Sequence, residues 1–431
     1  MIFGPRILIR GKLHLKTDLH LGGSDARIEA STDKQGNAIT REVSPVVRDF
    51  SGKPMIPATS LKGVLRHALR SSAQDADGLL GSASDVAKQS GAVASLWLDH
   101  AVLERAGADL ANLSESGSEG GVYQAKHVAL DPATGTAADN KLFEREMVGA
   151  GAIFSFEAHY FGDGISALGP VFALLEGGLQ FGRGTTKGLG RMVLPRESLT
   201  VLRFVADDMG VLGAQDAPDL GVSLLGAMDQ ATVPGPQQHQ SVTLRLTAEG
   251  PFLSVVKIGR GRRNNEMQPL ERDGGPALFP TSIAGALRSR ARWLAGLDAA
   301  RDGASPEGDS PNTRRDRATL LSAGTEVEQL FGVTGRRGKL TVREVHCTHP
   351  GTVVYFANNS IDRLTGAARD QALYGKRAYW QPEFKVTLDV EGDHSLFDRL
   401  LDDLKTNGIE LGHGATTGFG WFTVEVPDDA D

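Results

Sequence analysis

The chain has a single cysteine, Cys347, among its 431 residues. An internal disulfide is therefore excluded, and a reducing cytoplasm is the expected compartment. No run of ~18 apolar residues occurs, so no membrane-spanning helix is expected. The start, Met1-Ile2-Phe3-Gly4-Pro5-Arg6, lacks the basic segment and apolar stretch of a secretory leader. Positive charge is not in excess either: 46 Lys and Arg against 53 Asp and Glu leave a net charge of −7. That balance argues against a free-standing nucleic-acid binder unless the cations are clustered. The length suits two or three domains, and a hydrophobic content of 40% is enough for ordinary cores.

What the chain does have is a glycine-rich stretch, twice. Gly182-Arg183-Gly184-Thr185-Thr186-Lys187-Gly188-Leu189-Gly190 and Gly412-His413-Gly414-Ala415-Thr416-Thr417-Gly418-Phe419-Gly420 share four glycines at one offset (412 − 182 = 230). Such a loop can lie against another backbone and turn its N–H groups towards phosphates. It can also be a tight turn between strands.

Other matched stretches precede each copy. Leu13, Leu15, Leu19 and Leu21 alternate as strand, and a charged loop runs from Gly22 to about Pro45. In Pro57–Arg70, Thr59 or Ser60 suits an N-cap, and Leu61, Val64, Leu65, Ala68 and Leu69 form an apolar helical face. Lys62, Arg66 and Arg70 line one edge of that helix, and a capped helix start with a lysine in its first turn suits a phosphate. A hairpin arm is expected over His127–Glu146 with a turn near Pro132–Gly135, then a strand, a helix around Ile165–Glu176 and the first glycine loop.

Residues 207–240 read as a linker, clearest at Val233-Pro234-Gly235-Pro236. The programme then restarts. Val242, Leu244 and Leu246 alternate, and a basic loop contains Arg260, Arg262 and Arg263. In Pro280–Arg288, Gly285 and Arg288 match Gly63 and Arg66 (285 − 63 = 222), and Ser282 falls near the new helix start. Residues 302–312 are of low complexity. Asp362-x-x-Thr365-Gly366-x-Ala368-x-Asp370-x-x-Leu373 carries the motif of the first arm, Asp131, Thr134, Gly135, Ala137, Asp139 and Leu142 (362 − 131 = 231). The expected domains are thus 1–206 and 241–431, both α+β.

These motifs resemble the RAMP superfamily of CRISPR-Cas proteins. Pro57–Arg70 is similar to that superfamily's IPxSSLKGxLR segment, the glycine loops to its C-terminal glycine-rich loop, and the Asp-x-x-Thr-Gly arm to the thumb of type III effector backbone subunits. The whole resembles a tandem fusion of two such subunits, as in type III-D. The resemblance implies two tandem ferredoxin-like (RRM-like) domains, each with an inserted thumb hairpin. It also implies a guide RNA, a complementary target RNA and other type III effector subunits as partners, in antiviral defence, with no membrane. The implied RNA contacts are Ser60, Lys62, Arg66, Gly182, Arg183, Gly184, Lys187, Arg260, Arg262, Arg263, Ser282, Arg288, Gly412, His413 and Gly414.

Cleaving members of that family place an aspartate two residues before a loop proline. The matching positions before Pro45 and Pro269 are Val43 and Met267, which neither take a proton nor bind Mg2+. A non-cleaving scaffold is the favoured expectation. The alternative is an endoribonuclease in which Asp33, Glu42 or Glu266 has taken over. A guide-processing endonuclease using His20 and His127 as acid and base is a further reading, although such enzymes lack the capped helix and the arm. A carbohydrate- or protein-binding tandem module leaves the basic loop at 257–263 unexplained. His346, Cys347 and His349 are too few to define a metal site, and none is expected.

Overall fold

The computed structural model describes residues 6–23, 27–32, 38–72, 74–82, 93–107, 121–130, 137–162, 164–206, 212–231, 239–255, 266–301, 325–333, 335–392 and 394–427. The chain divides into two compact units whose main boundary falls between Gln237 and Gln238.

In the first unit the strand Arg6–Leu15 is central. It pairs antiparallel with Ile153–Phe161 on one side, in the register Arg10↔Glu157, and with Arg191–Val193 on the other. Ala101–Arg105 lies beyond Ile153–Phe161. Alternation along Arg6–Leu15 puts Ile7, Ile9, Leu13 and Leu15 into the core. The helix Ala58–Ser71 buries Leu61, Leu65 and Leu69, one residue per turn, against the same core. Gly169–Gly177 adds Val171, Phe172 and Leu175.

The second unit repeats this order. His239–Ala248 pairs with Glu383–Glu391 and with Trp421–Glu425, and Leu340–His349 lies beyond Glu383–Glu391. Pro280–Arg301 buries Ile283, Leu287, Ala291 and Leu294, and Ser395–Asn407 buries Leu396, Phe397, Leu400, Leu401 and Leu404.

Each unit also carries an arm. In the first, Val122–Leu130 and Ala137–Val148 form an antiparallel ribbon, and Ala38–Ser44 joins Ala137–Val148 in parallel. In the second, Thr352–Ile361 and Ala368–Trp380 form the ribbon, and Glu266–Met267 joins Ala368–Trp380 in parallel. The Asp-x-x-Thr-Gly motif is turn chemistry: Asp362 Oδ1 accepts from the N–H of Leu364 and Thr365 at 2.9 and 3.0 Å, and Gly366 takes φ +66°. The first copy's tip, 131–136, lies outside the described residues.

Residues 207–240 are not simply a linker. They contain the strand Leu212–Asp216, paired with Thr200–Ala206, and the helix Pro218–Gln230. Leu224 and Met228 of that helix are buried in the first unit's core. Pro218 at the first helical turn starts the helix rather than marking a break.

Candidate nucleic-acid interface

The two glycine loops are wired identically. In the first unit the N–H of Arg183 donates to His20 O at 2.9 Å, and that of Gly190 donates to Asp18 O at 2.9 Å. In the second, the N–H of His413 donates to Leu253 O at 2.7 Å, and that of Gly420 to Pro251 O at 2.8 Å. Each loop is thus seated on the backbone that follows its unit's first strand. The outer glycines are needed for that seat. A Cβ on Gly182 would run into His20 O and one on Gly412 into Leu253 O, the seat carbonyls themselves, while a Cβ on Gly190 or Gly420 would run into Phe181 O or Leu411 O across the base of its own loop. Gly182, Gly184, Gly412 and Gly414 all have positive φ, between 79° and 91°. A Cβ on Gly184 would meet Leu189 of its own loop and one on Gly414 would meet Thr417, so part of the glycine requirement is internal to the loops. Between the seats, Arg183, Lys187 and His413 are exposed at the loop surface.

The helix Ala58–Ser71 differs from expectation at both ends of its basic edge. It begins at Ala58 with Pro57 in the cap position, and neither Thr59 nor Ser60 caps it. His100 does so from outside, its Nδ1 accepting from the Ala58 N–H at 3.0 Å. Arg66 does not face outward. Its guanidinium donates to Leu80 O and Gly81 O at 2.9 and 2.6 Å, closing the C-terminus of the short helix Ala76–Leu80. Arg70 pairs with Asp77 at 2.8 Å. Lys62, half-exposed, is the remaining cation of that edge. In the second unit Ser282 is exposed and Arg288 half-buried on Pro280–Arg301. Arg260, Arg262 and Arg263 lie outside the described residues, as does Asp33.

His20 is also corrected. It is fully buried, its Nδ1 lies 2.8 Å from Glu146 O, and burial pushes its pKa down. A buried imidazole cannot meet an RNA chain in solvent as an acid or base. His127 is half-buried on the arm.

The loop acids need a new register. The Val47 N–H donates to Leu21 O and the Leu270 N–H to Ser254 O, both at 2.8 Å, and Gly22↔Val46 matches Val255↔Pro269. Val46 is therefore equivalent to Pro269, Ser44 to Met267 and Val43 to Glu266. Anchoring on the two prolines slips the second unit by one residue. Val43 is fully buried, and Glu42 beside it is exposed on Ala38–Ser44. Glu266 has one buried carboxylate oxygen without a hydrogen-bond partner, and it hydrogen-bonds Tyr355, raising that phenol's pKa.

Sequence reasoning missed Glu146. It is 4% exposed, accepts from the Val46 N–H at 3.0 Å, and pairs with Arg27 at 3.1 Å and Arg48 at 3.2 Å. It therefore ties the charged loop to the arm. Asp49 holds the adjacent turn by accepting from the N–H groups of Ser51 and Lys53, both at 2.9 Å.

Asp99, Glu157 and His159 come close enough for a cation. The fit is poor: Arg6 donates to His159 Nδ1 at 2.9 Å, so the ring proton sits on Nε2, facing Asp99 at 3.2 Å. His346 is paired with Glu344 at 3.1 Å.

A family model described as the RAMP superfamily matches residues 12–193 and 246–423. The chain belongs to the RAMP superfamily. Among solved structures, this RAMP chain is similar to one from "Type III-B Cmr-beta Cryo-EM structure of the Apo state", with 13% identity, 43% of this chain and 96% of that chain covered, and a TM-score of 0.33. A likeness that distant bears no functional weight. A search of curated proteins finds no match. No helix among the described residues is long and apolar enough to cross a membrane.

Proposed function

We propose that this RAMP protein is a guide-RNA-binding backbone subunit of a type III CRISPR effector complex, a tandem fusion of two subunits of the III-D kind. The observation that supports this is the duplicated wiring: each unit presents the same glycine loop, seated on the same backbone, beside the same kind of arm. Two equivalent stations suit a ligand that itself repeats, and a nucleic-acid backbone does. The strand order shared by the two units fits ferredoxin-like domains. The second ribbon exposes Tyr355, Ile361, Leu364 and Leu373, an apolar surface suited to a thumb that separates guide and target bases. Lys62, Arg183, Lys187, Arg288, His413 and the cluster at 260–263 are the guide-phosphate contacts in this reading. Target RNA and further effector subunits are the partners, in the cytoplasm. The test is RNA binding by the purified chain as a function of salt: the slope should be steep, and should flatten by about one unit for each phosphate contact removed.

The first unit acts as a scaffold, because a buried valine stands at position 43. A second reading attaches to the second unit, where Glu266 takes that place and keeps an unpartnered carboxylate oxygen. Metal-assisted cleavage needs such a carboxylate, and Mg2+ would be its cofactor. End-labelled target RNA in the assembled complex with magnesium decides it. A cut that Glu266→Gln removes makes the second unit an endoribonuclease, and no cut leaves both units as scaffold.

A further inference from the structure

Lys376 is a buried cation without an acid. It is 6% exposed, yet among the described residues no carboxylate lies within ion-pair distance of its ammonium. Its partners are two rings: the ammonium lies 4.6 Å from the centroid of Phe419, in the second glycine loop, and 6.0 Å from that of Tyr374. The side chain is nearly covered, yet its Nζ is not among the buried polar atoms that lack a hydrogen bond. The ammonium therefore keeps a path to solvent where arm and loop meet, and an anion can reach it there.

The first unit places a cation at the equivalent point of its own arm. Arg145 pairs in parallel with Ser44, as Lys376 pairs with Met267, so the two cations hold equivalent places on their arms. Arg145 is half-buried, and both burial and the charge of Arg183 in the first glycine loop lower its pKa. Burial chiefly, and after it the charges of Arg145 and Arg183, depress the pKa of His20. Two guanidiniums that feel each other's charge beside a loop of positive-φ glycines favour an anion between them.

We infer that Arg145 and Lys376, approaching the glycine loops from the arm side, each bind a phosphate of the RNA chain, so that each loop and its arm grip one backbone group between them. The inference rests on the RNA-binding reading above and adds two residues to it. Neither cation belongs to the helix edge or to the loop tips that the sequence marks.

The test uses the full chain, a labelled single-stranded RNA oligonucleotide and a salt titration. Lys376→Met keeps the length and apolar stem against Phe419 without the charge, and Arg145→Met does the same in the first unit. Each should weaken binding about three- to tenfold near physiological salt and flatten the slope by about 0.7 to 1. Lys376→Arg should retain both. Melting temperature is recorded alongside. If the Met variants lose melting temperature but bind as tightly per folded molecule with the same slope, the cations are structural and the inference is overturned. If Lys62→Ala and Lys187→Ala weaken binding while the Met variants do not, RNA binding stands and this site falls. If the wild type binds no RNA, both fall.

Discussion

Glu146 and Arg377 hold the same place in the two units and carry opposite charge. Each follows the arm cation, Arg145 or Lys376, by one residue. Glu146 gathers Arg27 and Arg48, whereas Arg377 pairs with Glu271 at 3.3 Å, and Glu271 also accepts from Tyr379 at 2.8 Å. The same junction of loop and arm is thus closed by an ion pair of reversed polarity. Glu146→Ala would leave a buried N–H and two guanidiniums without this acceptor. We expect a loss of about 2 to 3 kcal/mol in the first unit, read by denaturant unfolding. Arg377→Ala removes one partner of Glu271 and leaves the Tyr379 hydroxyl in place, so it should cost about 1 kcal/mol.

The glycines divide into seats and tips. Gly190→Ala and Gly420→Ala each place a carbon inside the contact distance of a carbonyl oxygen. We expect each to lower the melting temperature sharply in its own unit. Gly418 has φ +81°, but a Cβ there would meet nothing within 4 Å. Gly418→Ala should therefore cost only about 1 kcal/mol, which is the strain of the backbone conformation alone. Equal effects at Gly418 and Gly420 would contradict this assignment.

Arg66 and Lys62 should separate cleanly. Arg66→Ala removes two hydrogen bonds to carbonyls at the end of a short helix. It should cost about 1 to 2 kcal/mol in stability, while RNA affinity per folded molecule is retained. Lys62→Ala should do the reverse, weakening RNA binding and flattening its salt slope without changing the melting temperature.

The first unit should weaken in mild acid. The folded-state pKa of His20 lies below its ordinary value because burial disfavours the imidazolium. Its contribution is full above about pH 6.5, the unfolded value, and is lost as pH falls below that. Unfolding midpoints between about pH 7.5 and 5 should show the decline. His20→Phe should reduce the slope, and an unchanged slope would mean another group is responsible.

Much of this was legible in the sequence because spacing carries it. The four glycines of each loop, the alternating first strands and the Asp362-x-x-Thr365-Gly366 turn recur at nearly constant offsets. Other features depend on what a side chain meets after folding. Helical spacing put Arg66 on a basic edge, but only the position of Leu80 and Gly81 shows that its guanidinium turns inward. The Pro and Gly content of 207–240 read as linker, because Leu224 and Met228 reveal their burial only once a core exists for them. Aligning Pro45 with Pro269 hid the equivalence of Val43 and Glu266, which backbone pairing sets instead.

Val43→Asp follows from that equivalence. Because position 43 is fully buried, the new carboxylate should destabilise the first unit by several kcal/mol and create no cleavage there. Target cleavage by the variant, mapped to the first unit's footprint, would contradict a scaffold made by burial.

The most direct measurement is the RNA that the purified chain carries. Extracted nucleic acid should be RNA of one narrow length, displaced by raised salt and weakened by Lys62→Ala. Absence of RNA, or a random spread of lengths insensitive to Lys62, would contradict the account of this RAMP protein as a guide-binding backbone.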